Sequence, residues 1–448
     1  MSRGAGRPGP RGHDRSGKDR RRGTAAEQRR RGTGGQSGGQ SGGQSGGQSG
    51  RSGARGTRTA DTRQQSGRPA PSTLVELTFL AGLRDVLHDE VVTTLAPRRA
   101  PVDVAGRDDA LAVRLDGPLA DVQRLRTAVA AYVVLHFDVP RPRSLTSGDH
   151  LARIVDAVYA SLRVAGSSSF RFEAAGADSA VFQRLAALVH EATGLIHDPQ
   201  DGELVLRVRR GAPAGSTAHG GRATTVPDPG WDVLVRVGPR PLSARTWRVA
   251  DYPGALNATI AAAIVRLAGV RDDDRVLNLM CGSGTLLVER LLVGPAAAAV
   301  GVDDSPAALD AARANLAAAR SRATLVQADA LLPLPAEIVP SARDRDLEVP
   351  ISTGSHDLAR PGGFDVVLVD PPWGGLHGAH AQAAEVHAGV LRAARAAAAP
   401  GARCVVVTHE VKVMERCLRD AADLWTLRQT LRVYAKGHHP RVYVLDAA

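Results

Sequence analysis

The chain has 448 residues, 57 Lys+Arg against 46 Asp+Glu for a net charge of +11, three cysteines and 3% aromatic residues. That length holds roughly two to four domains, while Cys281, Cys404 and Cys417 are too few and too scattered for a disulfide framework or a zinc site with the histidines. No apolar stretch follows the N-terminal charges and no 18-residue apolar run occurs, so neither a secretory signal nor a membrane span is expected, and the chain reads as soluble, cytoplasmic and without a metal.

The positive charge is unevenly placed. The first 70 residues carry 16 of the Lys+Arg and 4 of the Asp+Glu, which leaves the remainder with a net charge of −1. Residues 1–72 contain no Leu, Ile, Val, Phe, Tyr or Trp and include a GGQS repeat from Gly34 to Ser49. Such a segment buries too little apolar surface to offset chain entropy, and the composition predicts a disordered tail. Its runs Arg20–Arg22 and Arg29–Arg31 suit either phosphate neutralisation or simple solubilisation.

From Thr73 the texture changes. TLVELTFL alternates as a strand, GLRDVLHDEV has helical spacing, and LAVRLDG and YVVLHFDV read as strands around an amphipathic ADVQRLRTAVA. Residues 73–138 are thus predicted to form a small α/β unit, bounded by Pro140 and Pro142. Residues 139–250 give a helix over HLARIVDAVYASLRV, a strand SFRFEA, a helix SAVFQRLAALVHEATG stopped by Gly194, and strands ELVLRVRR and WDVLVRVG. Arg207, Arg209, Arg210, Arg240, Arg245 and Arg248 are the candidates here for phosphate contact; the competing reading is a solvated sheet face.

From Leu256 strands and helices alternate. The strands DRVLNLM, AAAVGVDD, ATLVQADA, FDVVLVD and ARCVVVTHE are near-continuous apolar runs, which predicts a doubly wound, mostly parallel sheet. TLRVYAKGHHPRVYVLD adds a terminal antiparallel hairpin turning near Gly437, and residues 331–362 read as an inserted loop. His438 and His439 fall at that turn and are expected at the surface.

Three segments fall at strand ends, where such a sheet binds ligands. Asn278 to Thr285 runs from a strand through Cys281, Gly282, Ser283 and Gly284 into a helix, giving close backbone approach and free amides; it lacks the third glycine of a dinucleotide fingerprint. Asp303, at the next strand end, is placed to grip ribose hydroxyls, whereas Asp304 suits capping of the helix that Ser305 and Pro306 begin. In Asp370, Pro371, Pro372 and Trp373, a carboxylate and a fixed carbonyl can accept both hydrogens of a planar amine, with an indole beside them to stack on its base.

VLNLMCGSGTLLVE, GVDDSPAALDAARANL, VQADA and VDPPWG, in this order, resemble class I S-adenosylmethionine-dependent methyltransferases of exocyclic amines. The preceding LNATIAAAIVRLAG is similar to the THUMP-containing RNA guanine-N2 methyltransferases of tRNA and large-subunit rRNA. The resemblance implies a Rossmann-like methyltransferase domain over 251–448, a ferredoxin-like unit over 73–138 and a THUMP-like domain over 139–250. It implies that Cys281 to Thr285 hold the methionine moiety of S-adenosylmethionine, that Asp303 holds its ribose, and that Asp329 and Ala330 meet its adenine. Asp370 to Trp373 would hold the target amine. Asn278 departs from the family's usual Asp and removes a negative charge expected to face the cofactor's ammonium. The same amine clamp would serve a protein glutamine or the N6 of DNA adenine, and the departure at Asn278 also suits an RNA-binding homologue that has lost activity.

Overall fold

The computed structural model describes residues 72–211, 228–340, 362–372, 380–434, 437 and 439–448. The expected disordered tail, apart from Ser72, lies outside these residues, as do Trp373, His438 and most of the expected inserted loop.

The N-terminal half builds β1 (Thr73–Thr78), α1 (Arg84–Leu95), β2 (Val102–Asp103), β3 (Ala110–Leu115), β4 (Ala130–Phe137), α2 (Gly148–Val164), β5 (Ser169–Ala174), α3 (Ala180–Thr193), β6 (Ile196–His197), β7 (Leu204–Arg210) and β8 (Trp231–Arg236). All eight strands belong to one sheet, ordered β2-β3-β1-β4-β8-β7-β5-β6. The boundary expected near Pro140 therefore separates chain segments but not sheets, because β4 pairs antiparallel with β8 from Tyr132↔Arg236 to Phe137↔Trp231. One face buries Leu77, Val133, Leu206 and Val235 with Val158 of α2 and Phe182 of α3. The strand alternation thus supplies the apolar surface that the two amphipathic helices cover.

The segment 120–130 holds a short 3-10 helix, Leu119–Arg124, where the amphipathic stretch was read. Its continuation is diverted by Glu90 of α1. That buried carboxylate accepts the amides of Arg126 (2.9 Å) and Thr127 (2.8 Å), leaving them unavailable for helical bonds.

The C-terminal half builds α4 (Ala258–Ala268), β9 (Arg275–Leu279), α5 (Thr285–Val293), β10 (Ala298–Asp303), α6 (Pro306–Ala318), β11 (Thr324–Gln327), β12 (Phe364–Val369), α7 (His380–Ala397), β13 (Ala398–Thr408), α8 (Val411–Asp420), β14 (Trp425–Arg432) and β15 (Arg441–Ala447). The sheet order is β11-β10-β9-β12-β13-β15-β14. The first five strands are parallel, and β15 runs antiparallel to both β13 and β14. The predicted hairpin is therefore β14–β15, with its second strand inserted beside β13. Val276, Leu277, Val366, Val367, Val405 and Val444 are all fully buried, as strands covered on both faces require.

The halves meet through α1, whose Val86 packs with Ile260 and Ile264 of α4. The Tyr434 amide also donates to the Ala81 carbonyl at 3.0 Å. At Gly82, with φ +94°, a Cβ would lie 2.0 Å from the Arg432 carbonyl oxygen, so this close backbone approach needs glycine. A second junction is buried: Glu289 of α5, fully excluded from solvent, pairs with Arg126 (2.6 Å) and Arg245 (2.8 Å).

Candidate active site

Strand order puts the tips of β9, β10 and β12 side by side, with β9 central. Sheets of this kind bind ligands in the crevice outside the carboxyl ends of their strands, where strand order reverses. After β9 the chain turns through Met280 (φ +51°), Gly282 (φ +52°) and Gly284 (φ +75°). Three positive φ values within five residues fold the strand sharply into α5, with Gly284 as its N-cap. The Gly282 amide donates to Asp303 Oδ2 at 2.8 Å, and the Ser305 amide donates to Asp303 Oδ1 at 3.1 Å. The carboxylate at the β10 tip thereby anchors the turn after β9.

Met280, Gly282, Asp303 and Ser305 line a cavity of about 340 Å³ together with Asp304, Asp329, Ala330, Asp370, Pro371 and Pro372. Cys281, Ser283 and Thr285 also face it. The sequence-predicted cofactor residues other than Asn278 and Gly284 are brought to one space, and so are the described members of the amine-holding motif. Trp373 lies outside the described residues. Among the described residues the wall contains four carboxylates, Asp303, Asp304, Asp329 and Asp370, and no lysine or arginine. That field favours a cationic ligand and opposes a phosphate-bearing one.

Asn278 is placed differently. Its carboxamide is fully buried between strands, with Nδ2 donating to the carbonyls of Leu279 (3.2 Å) and Leu368 (3.0 Å). It spans β9 and β12, its Oδ1 makes no hydrogen bond among the described residues, and it is not among the residues that line the cavity, where facing a cofactor ammonium would have put it. Asp304 does not cap α6: Ser305 does, accepting the Ala308 amide at 3.3 Å. Burial, reinforced by the Asp303 charge, pushes the Cys281 thiol far above its ordinary pKa, which keeps it protonated and makes it a poor nucleophile.

The arginines read as phosphate contacts are mostly committed inside the protein. Arg207 pairs with Glu173 (2.9 Å), Arg209 with the buried Glu76 (2.5 Å), and Arg245 with Glu289 (2.8 Å). Arg210 pairs with Asp228 at 2.9 Å while remaining exposed, and Arg240 is exposed with no ion pair among the described residues. Burial makes an unpaired guanidinium costly, so carboxylates on neighbouring strands take these side chains up. The phosphate-contact reading of Arg207, Arg209 and Arg245 is corrected on that ground.

Sequence reading missed Tyr252 to Leu256, which form one wall of the cavity. Their only local signal is Pro253-Gly254 ahead of the Asn257 N-cap, with Gly254 at φ +79°.

A parallel sheet ordered in this way, closed by one antiparallel strand and carrying an acidic strand-tip cavity, has the class I methyltransferase fold. Residues 245–441, within the C-terminal half, match the UPF0020 family, described as RMKL-like, methyltransferase domain. The chain is similar to the tRNA (guanine(6)-N2)-methyltransferase of Thermus thermophilus, 27% identical over 83% of this chain and 99% of that protein. It is also similar to the tRNA (guanine(6)-N(2))-methyltransferase THUMP3 of Bos taurus, 25% identical over 43% of this chain; that match spans 36% of the bovine protein. The crystal structure of TrmN from Thermus thermophilus superposes with a TM-score of 0.58 at 25% identity, covering 84% of this chain and all of that one.

Proposed function

We propose that this chain transfers a methyl group from S-adenosylmethionine to the exocyclic N2 amine of a guanosine in tRNA, acting in the cytoplasm as a tRNA-processing enzyme. The carrying observation is the convergence of the Gly282 turn, Asp303, Asp329 and the Asp370-Pro371 pair on one acidic cavity. The guanosine and the tRNA are supported by the names of the relatives. The segments 73–138 and 139–250, joined in one sheet, would act as ferredoxin-like and THUMP-like RNA-binding parts, with Arg210 and Arg240 as their exposed cations.

The residues present fit the cofactor. Its sulfonium and ammonium suit the four carboxylates. Ser283 lines the cavity and is 2% exposed, and its buried Oγ makes no hydrogen bond among the described residues, as a group that a ligand would satisfy. A Cβ on Gly282 would meet nothing within 4 Å, which leaves the cavity floor open. Asp303 would hold the ribose hydroxyls, Asp329 and Ala330 the adenine, and Cys281 to Thr285 the methionine end. When bound, the cofactor supplies an electrophilic methyl group on sulfur.

What the chain contributes is position. The Asp370 carboxylate and the Pro371 carbonyl would accept the two amine hydrogens, aiming the nitrogen lone pair at the methyl, with Trp373 stacking on the flipped base. No strong base is required, because the amine becomes acidic once it is alkylated. Pro371 is buried and fixes the backbone here.

The test is transfer of tritiated methyl to bulk tRNA, rRNA, DNA and protein, followed by nucleoside mass spectrometry. N2-methylguanosine in tRNA is expected. Asp370→Ala should abolish transfer and leave cofactor affinity within about threefold, as for a group acting only on the acceptor. Label confined to protein or DNA would refute the RNA reading, and full activity in Asp370→Ala would refute the assigned role.

A further inference from the structure

A second cavity, of about 590 Å³, adjoins the first and shares Tyr252 to Leu256 as a common wall. Its remaining polar lining comes from Ser243, Arg248, Asp251, Asn257 and His409. Arg248 reaches across the common wall. Its Nη2 donates to the Leu256 carbonyl at 2.8 Å and to Thr285 Oγ1 at 3.0 Å, so the side chain is held in place at the first turn of α5. Among the described residues its hydrogen bonds are made through Nη2 alone.

Arg207, Arg209, Arg210 and Arg245 each touch a carboxylate, whereas Arg248 forms no ion pair among the described residues and, unlike the exposed Arg240, is partly buried. The guanidinium is half-buried and lies over the Trp247 ring, 5.1 Å from its centroid. Two carboxylates, Asp251 and Glu289, act on it only at a distance, and Arg245 opposes them. The adjacent helix start offers little competition, because Asn257 Oδ1 already accepts the amides of Thr259 and Ile260. A rigidly held, half-buried cation with unused donors on a cavity is an incomplete pair.

We propose that the second cavity is an oxyanion site centred on Arg248. Its ligand is a phosphodiester of the RNA acceptor or the carboxylate of the bound cofactor, and the test separates the two. The proposal rests on the methyltransferase reading, and the common wall explains why such a site would belong to the reaction: an anion held there is anchored in the cavity next to the one that would take the cofactor.

The experiment compares the full chain with Arg248→Gln in three titrations: S-adenosylmethionine, 5′-methylthioadenosine (which lacks the carboxylate), and tRNA over a salt series. A phosphodiester site predicts about tenfold weaker tRNA binding in the variant, a salt slope lowered by about one, and unchanged affinity for both small ligands. A carboxylate site predicts about tenfold weaker S-adenosylmethionine binding with methylthioadenosine unchanged. Either result supports the proposal. It is overturned if all three affinities stay within twofold, or if both small ligands weaken equally, which would leave Arg248 a purely structural tie to Leu256 and Thr285. Should Arg248→Gln fail to fold, Arg248→Lys is compared by affinity alone, since it keeps the charge and therefore the salt slope but loses the spread of donors, and the same ligand should weaken. Methylation of tRNA by the unaltered chain is measured alongside. Its failure would sink the proposed function while the small-ligand arms still judge the cavity.

Discussion

The amide of Gly282 and the carboxylate of Asp303 are joined at 2.8 Å, so the turn after one strand is held by the tip of the next. The second oxygen of Asp303 is engaged by the Ser305 amide at 3.1 Å. One side chain therefore ties the glycine turn to the start of α6 while lining the cavity. Replacing Asp303 by Ala removes two charge-assisted bonds, at about 1.5–3 kcal/mol each before relaxation. Cofactor affinity should fall about 100-fold and the melting temperature by several degrees. Calorimetric titration together with a thermal melt checks both, and an unchanged affinity would remove Asp303 from the site.

The two glycines of the turn should fail differently. At Gly284, with φ +75°, an added Cβ would sit 3.1 Å from the Ala312 Cβ and 3.4 Å from its Cα. Gly284→Ala combines left-handed strain with crowding against α6 and should cost about 1–3 kcal/mol of stability. Gly282→Ala, at φ +52° with open space around the Cβ, should cost about 1–2 kcal/mol from strain alone. Its methyl group would instead obstruct the cavity floor. Denaturant unfolding and cofactor titration of both variants should show Gly284→Ala losing more stability and Gly282→Ala losing more affinity. The reverse ranking would mean that the open space at Gly282 is not where the ligand lies.

Local periodicity made the C-terminal half legible, and non-local pairing limited the N-terminal half. The apolar strands around Val276, Val302, Val367 and Val405 announce a sheet covered on both faces, and the site residues sit at their ends. Insertion of β15 between β13 and β14 was not legible, because alternation and a turn fix a hairpin but not its third neighbour. The union of β4 with β8 joins residues about 100 positions apart, and the Arg209–Glu76 pair joins residues 133 apart. No window of sequence contains either relationship, and for that reason arginines on strands were read as phosphate contacts. The Tyr252–Leu256 wall carries no chemical motif, since what it contributes is the shape of its backbone.

A pH dependence follows from His387. The ring is buried, with Nδ1 2.6 Å from the Ala383 carbonyl and Nε2 2.9 Å from Thr408 Oγ1. The carbonyl requires a proton on Nδ1, so Nε2 accepts from the Thr408 hydroxyl, which in turn accepts the Glu410 amide at 3.0 Å. Burial lowers the ring's pKa below its ordinary value. The unfolded chain therefore takes up this proton first, near pH 6.5, and stability present above that pH is lost as pH falls toward the folded value. Thermal melts from pH 7.5 to 5 should show a decline that is shallower in His387→Gln. Parallel declines in the two proteins would assign the acid sensitivity to other groups.

Asn278 yields the opposite sign. The surroundings of its Nδ2 are two carbonyl oxygens, Leu279 and Leu368, in a fully buried position. Asn278→Asp would set a carboxylate against those carbonyls, away from solvent, so the new acid should hold its proton and its pKa should rise well above the usual carboxylate value. The folded state would then bind a proton that the unfolded chain releases near pH 4, and stability would fall as pH rises from there. The variant should be destabilised by about 2–4 kcal/mol at pH 8 and by distinctly less at pH 5. Cofactor affinity measured on the protein that remains folded should change little, because Asn278 is not among the residues that line the cavity. A large gain in affinity with no loss of stability would instead place this side chain toward the cofactor's ammonium, and the geometry argued here would have to be abandoned at that point.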